Sequence, residues 1–562
     1  MAQTPPPQRP SGPLPAGTQN ASAPSHVFIR GDVEIVTFET EQDYDRLQQL
    51  LTESDKTDLQ PGRETTFYLR SRTDNSVQPY GVWLPRNYSR DRTWPLVIQL
   101  HGLNFHEVLT RARLGFRGMG NAQWIQEDLP IIYVHCFGRP SAFYRGMGEV
   151  DVLEVLDAVK QRFSINPDRV YIMGHSMGGS GSYFIGLHYP DLFGGIMPLD
   201  AAMWAKQAPH EPDPPAWMKP QIDIHWPDHM FPNARNVDVF FKNAGEGIQK
   251  RSTEFSDGII EQGGFATMES FPHMPHNFSD QYSYANFVPE LVQHPIRRYP
   301  AEVKYYTNTL RYNRAYWVTI DRLTQHNRDA LVVANNDKGA IRLTTTNIDA
   351  LTLKPETAPA SILVDGVTLS GPFTAEVQLS KSGGIWKQGA WPGLDQAKRH
   401  GLQGPIEDAL NSRFLAVYGS AADRDQAIAE LDAIRNPPGP MDIHGDFPMK
   451  AAGKVTREDI ESSNLILFGT PQTNPLLQRI AGNLPARLMD AEDGARTIFV
   501  YPNPENPSRY VVVWQTKLLS GPVPLHYGWI MPLTLLPDYV RVKDGKILAG
   551  GHFDSDWRLG AK

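Results

Sequence analysis

Apolar and polar positions alternate along the chain with periods that change three times. Residues 1–25, MAQTPPPQRPSGPLPAGTQNASAPS, are proline-rich and polar, and predict a disordered tail that cannot pack. From 26 to 296, short apolar runs interleave with helical periodicity. VEIVTF and TTFYLRSR read as strands around the helix DYDRLQQLL, and YGVWLP follows as a strand. WPLVIQLHG and IIYVHCFG are nearly continuous apolar runs, the pattern of strands buried on both faces. In EVDVLEVLDAVKQRF, Val152, Val155, Leu156, Val159 and Phe163 recur at helical spacing. VYIM, GGIMPLD and VDVFFK add strands, and GGSGSYFIGLHY carries a helix. Strands alternating with helices predict an α/β fold with a parallel, doubly wound sheet.

Near residue 297 the period shortens. VKYYTNTL, AYWVTIDRL, ALVVANNDKGAIRLTTT, ALTL and SILVDGVTL are alternating strands with turns at Asn336–Gly339 and Asp365–Gly366, so residues 297–399 predict a β-rich, sandwich-like region. Tyr316 and Trp317 in this region read as core aromatics rather than a glycan surface. From 400 to 562 the helix–strand alternation returns in FLAVYG, DRDQAIAELDAI, NLILFG, NPLLQRIAG, TIFVYP and RYVVVWQT. That predicts a second, smaller α/β domain. Within the first α/β unit, the insertion 203–235 is long, proline-rich and aromatic, and is expected to act as a lid or pocket wall.

Composition narrows the function classes. A chain of 562 residues exceeds a single core. No run of eighteen apolar residues exists, so no membrane partner is expected. The formal net charge is −8 with both signs interspersed, which argues against a nucleic-acid partner. The single cysteine, Cys136, lies in the apolar run IIYVHCF and reads as a buried strand thiol. The tail lacks the apolar segment of a signal peptide, and we expect it to be the mature start of a secreted or periplasmic bacterial protein with an initiator methionine added. Neither H-E-x-x-H nor paired cysteines occur, so no metal and no organic cofactor is expected.

The candidate chemistry centres on VYIMGHSMGGSGSYFIGLHY. Gly174-His175-Ser176-Met177-Gly178 has the form G-x-S-x-G, with a strand before it and a helix after it. A sharp strand-to-helix turn strains its central residue and crowds the flanking positions until only glycine fits. It also lifts the serine hydroxyl above the sheet and aims the next backbone N–H at a reacting carbonyl oxygen. Ser176 is therefore the candidate nucleophile and the Met177 N–H a candidate oxyanion donor. The Leu103 N–H, in the loop after VIQLHG, is the second candidate donor, with Asn104 behind it. A serine needs a base, and the base an orienting carboxylate. His276 follows the last strand of the sheet, with His273 its rival. Glu246, just past VDVFF, is the preferred acid, and Asp200, at the end of GGIMPLD, the alternative. Phe105, His106, Trp204 and Trp226 are candidate pocket residues. Trp217 belongs with them, and His225 and His229 read as packing or pocket-lining residues.

The run INPDRVYIMGHSMGGSGSYFIGLHYPDLFGGIMPLDA, with QPYGVWLP and WPLVIQLHG, resembles the catalytic domain of the prolyl oligopeptidase family. It also resembles that family's esterase-like relatives, of feruloyl-esterase-like and polyhydroxybutyrate-depolymerase-like type. The likeness covers about residues 65 to 295. It implies an α/β-hydrolase fold, a Ser176–Glu246–His276 triad and an oxyanion hole from Met177 and Leu103. Relatives usually carry aspartate in a His-Gly-x-x-Asp context where this chain has Lys242-Asn243-Ala244-Gly245-Glu246. Only about 65 residues precede the hydrolase segment, too few for the propeller of true oligopeptidases. LRYNRAYWVTIDRL and HGLQGPIEDALNSRFLAVYG resemble the C-terminal extension of bacterial prolyl-oligopeptidase-like proteins. The expected activity is carboxylester hydrolysis of small acyl or aryl esters, including polysaccharide-linked ones. The alternatives are a serine peptidase acting on small peptides and an inactive binding scaffold.

Overall fold

The computed structural model describes residues 25–560 apart from 104–124, 202–212, 226, 246–248, 277, 279–282, 438–440, 490–493, 523–524, 526 and 529. Two hairpin strands come first, β1 (His26–Arg30) and β2 (Val33–Thr37). The next eight strands are β3 (Glu64–Arg70), β4 (Val77–Trp83), β5 (Trp94–Leu100), β6 (Ile132–Cys136), β7 (Ile165–His175), β8 (Gly195–Leu199), β9 (Asp238–Ala244) and β10 (Ala266–Phe271). These eight form one sheet in the order β10-β9-β8-β7-β5-β6-β4-β3. β4 runs antiparallel to both its neighbours, and every other adjacent pair is parallel. This is the α/β-hydrolase arrangement expected from the sequence.

The strands sort their side chains between two cores with a period of two. Leu96, Ile98 and Leu100 of β5 join the core that holds Val152, Val155, Leu156 and Val159 of the helix Met147–Arg162. Val97, between them, faces the other core with Tyr171, Met173, Met197 and Phe240. All residues of β6, β8 and β9 are buried, as continuous apolar runs require. Cys136 is among them, and burial pushes its thiol well above the ordinary range.

One part of the organisation differs from the sequence reading. The hairpin β1–β2, assigned there to the hydrolase unit of residues 26–296, belongs to the C-terminal sheet. β2 pairs with the strand Phe447–Ala451. Glu34 of β2 is held there by Arg424 and by the Tyr418 hydroxyl. The hydrolase sheet therefore starts at Glu64. Among the described residues the C-terminal sheet, with the hairpin, has nine strands against eight, and its central strands Phe447–Ala451, Phe414–Tyr418, Asn464–Phe468 and Asn506–Trp514 are parallel neighbours.

Between the two lie two five-stranded sheets, packed around Val303, Tyr305, Trp317, Ile320, Leu351 and Trp386. Trp317 is in this core and its indole donates to the Pro300 carbonyl. The Tyr316 hydroxyl donates to Pro190 of the hydrolase unit. The units are joined by buried charge. Arg139 pairs with Asp74 at 2.7 Å and also donates to the His444 carbonyl. Glu149 accepts from Tyr189, Arg311 and Tyr312. No helix among the described residues is long and apolar enough to cross a membrane.

Candidate active site

Strand register places the candidate residues along one edge. Leu100 of β5 is paired with Gly174 of β7, and His175 with Leu199 of β8. Leu199 is paired with Lys242 of β9, and Ala244 with Phe271 of β10. The residues that follow these strands therefore leave the sheet together: His101–Leu103, Ser176, Asp200, and the turn leading to His276.

Ser176 makes the elbow. Its φ of 55° and ψ of −113° lie in a region L-residues rarely adopt, and it caps the helix Met177–His188. The flanking glycines are required by space. A Cβ on Gly178 would lie 2.1 Å from the Leu100 carbonyl oxygen, and one on Gly174 would lie 2.3 Å from the Gly178 oxygen. Met177, the first helical residue, is 1% exposed, and a first-turn N–H has no partner within its own helix. The loop after β5 stands against the elbow, since a Cβ on Gly102 would be 3.5 Å from Ser176 Cβ. Leu103 follows, half-buried.

His276 Nε2 lies 2.9 Å from Ser176 Oγ, and its Nδ1 meets Asp200 Oδ2 in a short hydrogen bond. Asp200 is 1% exposed, and its other oxygen accepts the Ala244 N–H at 3.0 Å. The acid position is thus a correction. The sequence reading preferred Glu246, which lies outside the described residues, and the carboxylate on the imidazole is that of Asp200. β8, which leads into Asp200, is adjacent to β7, and β9 lies one strand further away, about 5 Å more. His273 is exposed and is not the histidine brought to Ser176.

Among the expected pocket residues, Asn104, Phe105, His106, Trp204 and Trp226 lie outside the described residues. Trp217 packs with Met218, Ile222 and Tyr527, against the C-terminal unit. His225 lies against Phe184 and His229 against Tyr306. A cleft of about 910 Å³ lined by residues such as Arg70, Asp74, Glu154, Asn411 and Arg413 touches none of Ser176, Asp200 and His276.

The sequence reading did not single out His175. The residue is 6% exposed, its Nε2 lies 2.6 Å from the His276 carbonyl oxygen, and its ring stacks on Tyr284 at 5.2 Å. Burial, with His276 beside it, pushes its pKa down to about 4. The one available signal was its place directly before the serine. His175, Asp200 and His276 offer ligand atoms within 4.8 Å of one another, a spacing that could hold a metal ion. An ion there would displace the hydrogen bonds just described, which already give each ring a defined partner.

Residues 152–295 match the Esterase family. Among curated proteins, poly(3-hydroxyalkanoate) depolymerase C of Paucimonas lemoignei is 31% identical over 113 residues, 19% of this chain and 27% of that protein. The chain thus matches about a quarter of that relative's length. Similar solved structures include FphF, a fluorophosphonate-binding serine hydrolase of Staphylococcus aureus, at 19% identity, 41% of this chain, 99% of that one and a TM-score of 0.33. An S-formylglutathione hydrolase from Agrobacterium tumefaciens is 18% identical over 42% of this chain and 94% of its own, with a TM-score of 0.32. A ferulic acid esterase is 20% identical over 41% and 95%, with a TM-score of 0.30. The family match carries the esterase side of the resemblance and not the prolyl oligopeptidase side. With the sheet order and the serine elbow, it makes the unit that begins at β3 an esterase-like α/β-hydrolase.

Proposed function

We propose that the protein is a serine carboxylester hydrolase acting through an acyl-enzyme. The observation that carries this is the continuous hydrogen-bonded chain from Ser176 Oγ through the His276 ring to Asp200. In the first step His276 Nε2 takes the Ser176 proton as Oγ attacks the ester carbonyl. Asp200 holds Nδ1–H in place and stabilises the imidazolium that forms. The carbonyl oxygen becomes an oxyanion, received by the N–H groups of Met177 and Leu103, each worth about 3–4 kcal/mol in comparable sites. His276 then returns its proton to the departing alkoxide, the ester C–O bond breaks, and the acyl group stays on Ser176. Water, deprotonated by His276, releases the acid and restores the serine. The reaction as written needs no metal or organic cofactor.

The substrates we assign are small acyl or aryl esters, including esters carried on polysaccharide. The depolymerase relative acts on a polymer whose repeating link is an ester, which supports ester rather than amide chemistry. The test is a panel of p-nitrophenyl esters against prolyl and alanyl p-nitroanilides, with wild type and Ser176→Ala side by side. Ester turnover lost in Ser176→Ala, with fluorophosphonate labelling of the wild type only, is the expected result. Amide turnover without ester turnover would reject the assignment, and absent labelling would point to an inactive scaffold.

A further inference from the structure

We propose that His175 is a positioning residue that sets His276 for proton transfer, by holding its main chain and supporting one face of its ring. The inference rests on reading Ser176 as nucleophile and His276 as base. A carbonyl oxygen can only accept, so the 2.6 Å contact between His175 Nε2 and the His276 oxygen makes Nε2 the protonated nitrogen of His175. Nδ1 is then the unprotonated nitrogen, and it faces Gly102, where a Cβ would stand 3.2 Å away. The ring itself is held between His276, at 4.7 Å, and Tyr284, at 5.2 Å. One side chain therefore contacts the loop that leads to the Leu103 donor, the main chain of the base and the ring of the base.

The neutrality of His175 suits this role. The groups around it are His276, Tyr284, Ser176 and, across His276, Asp200. During acylation His276 becomes positive. A second imidazolium 4.7 Å away would oppose that charge, and burial keeps His175 uncharged down to about pH 4. A residue that merely filled space could be any flat ring. A positioning residue must keep the donor.

Three variants separate the two roles. His175→Phe keeps a ring and loses the donor, His175→Gln keeps an amide donor at the Nε2 position, and Ser176→Ala is the control. The expected result for His175→Phe is a fall in kcat of about 10²-fold with KM nearly unchanged, the order of loss that a small misplacement of a reacting group produces. His175→Gln should recover most of that loss. The downfield proton resonance of the His276–Asp200 hydrogen bond should shift in His175→Phe and return in His175→Gln. Wild-type kcat in a folded His175→Phe, or a His175→Gln no better than His175→Phe, would overturn the proposal. If His175→Phe does not fold, His175→Gln decides by itself: wild-type resonance and kcat within about tenfold support the role, and a lost resonance with a larger drop refutes it. Activity surviving in Ser176→Ala would instead bring down the underlying reading of the site.

Discussion

Replacing Asp200 by asparagine should lower kcat by about 10⁴-fold, a magnitude that follows from two terms. The first is charge. When His276 accepts the serine proton, the Asp200 carboxylate lies about 4 Å from the centre of the new positive charge. At an effective dielectric of about 20 that attraction is about 4 kcal/mol, or roughly 10³ in rate. The second is the tautomer. Asp200 Oδ1 accepts the Ala244 N–H, so an asparagine would keep its carbonyl oxygen on that donor. Its NH₂ group would then face His276 Nδ1, which could only accept. Nε2 would carry the proton toward Ser176 Oγ, 2.9 Å away, and could not take another. Reversing that tautomer costs about 1–1.5 kcal/mol, a further factor of ten.

The assay is steady-state hydrolysis of p-nitrophenyl acetate, normalised to fluorophosphonate-titrated sites, with Glu246→Gln measured alongside. With Asp200 as the acid, Glu246→Gln should stay within about threefold of wild type. The reasoning is refuted if Asp200→Asn remains within about 100-fold of wild type, or if Glu246→Gln falls by more than that.

Three further outcomes are expected. Gly178→Ala should abolish labelling of Ser176 and lower Tm, because its Cβ would meet backbone atoms of Leu100 at 2.1 and 2.5 Å, which no side-chain motion can relieve. Lys398→Met should cost about 3–5 kcal/mol in urea unfolding, since it leaves Asp538 without its 2.5 Å cation in a fully buried position; adding Asp538→Leu should recover much of it. Burial raises the Asp151 carboxyl from 3.8 to about 7. The folded state then binds that proton more tightly than the unfolded chain, so this group's contribution declines as pH rises from about 4 to 7 and is flat above, by up to about 4 kcal/mol. Asp151→Asn, which can still accept the Gly138 N–H, should flatten that slope in denaturation curves at pH 5 and 7.5.

The features legible in the sequence were those set by neighbours along the chain. The elbow is local: glycines, a serine and a change of period within ten residues. The helix Met147–Arg162 showed its buried face in the spacing of Val152, Val155, Leu156 and Val159. What escaped depended on which strands lie side by side. Alternation in VEIVT marks a strand but not its sheet, and β2 finds its partner more than four hundred residues later, at Phe447. Glu246 and Asp200 each follow a strand and are equal on that count alone. His175 carried no periodic signal, because the carbonyl it serves is a hundred residues away.

The ends of the strands support one another in an order that favours the proposed acid, Asp200, which follows β8. The Ser176 N–H, at a strained backbone, donates to Leu199 of β8. Asp200, itself at a φ of 40°, donates its N–H to Lys242 of β9 at 2.6 Å. Gly245 donates to Phe271 of β10, and Ala244 donates to the Asp200 carboxylate. Each strained position is thus fixed by the next strand outward, which is how a costly conformation persists at a site of chemistry. A carboxylate on β9 would sit beyond this series, with a neighbouring strand between it and the elbow. One on β8 is clamped from both sides, by Ser176 and by Ala244, and needs to reach only one strand spacing to meet the imidazole.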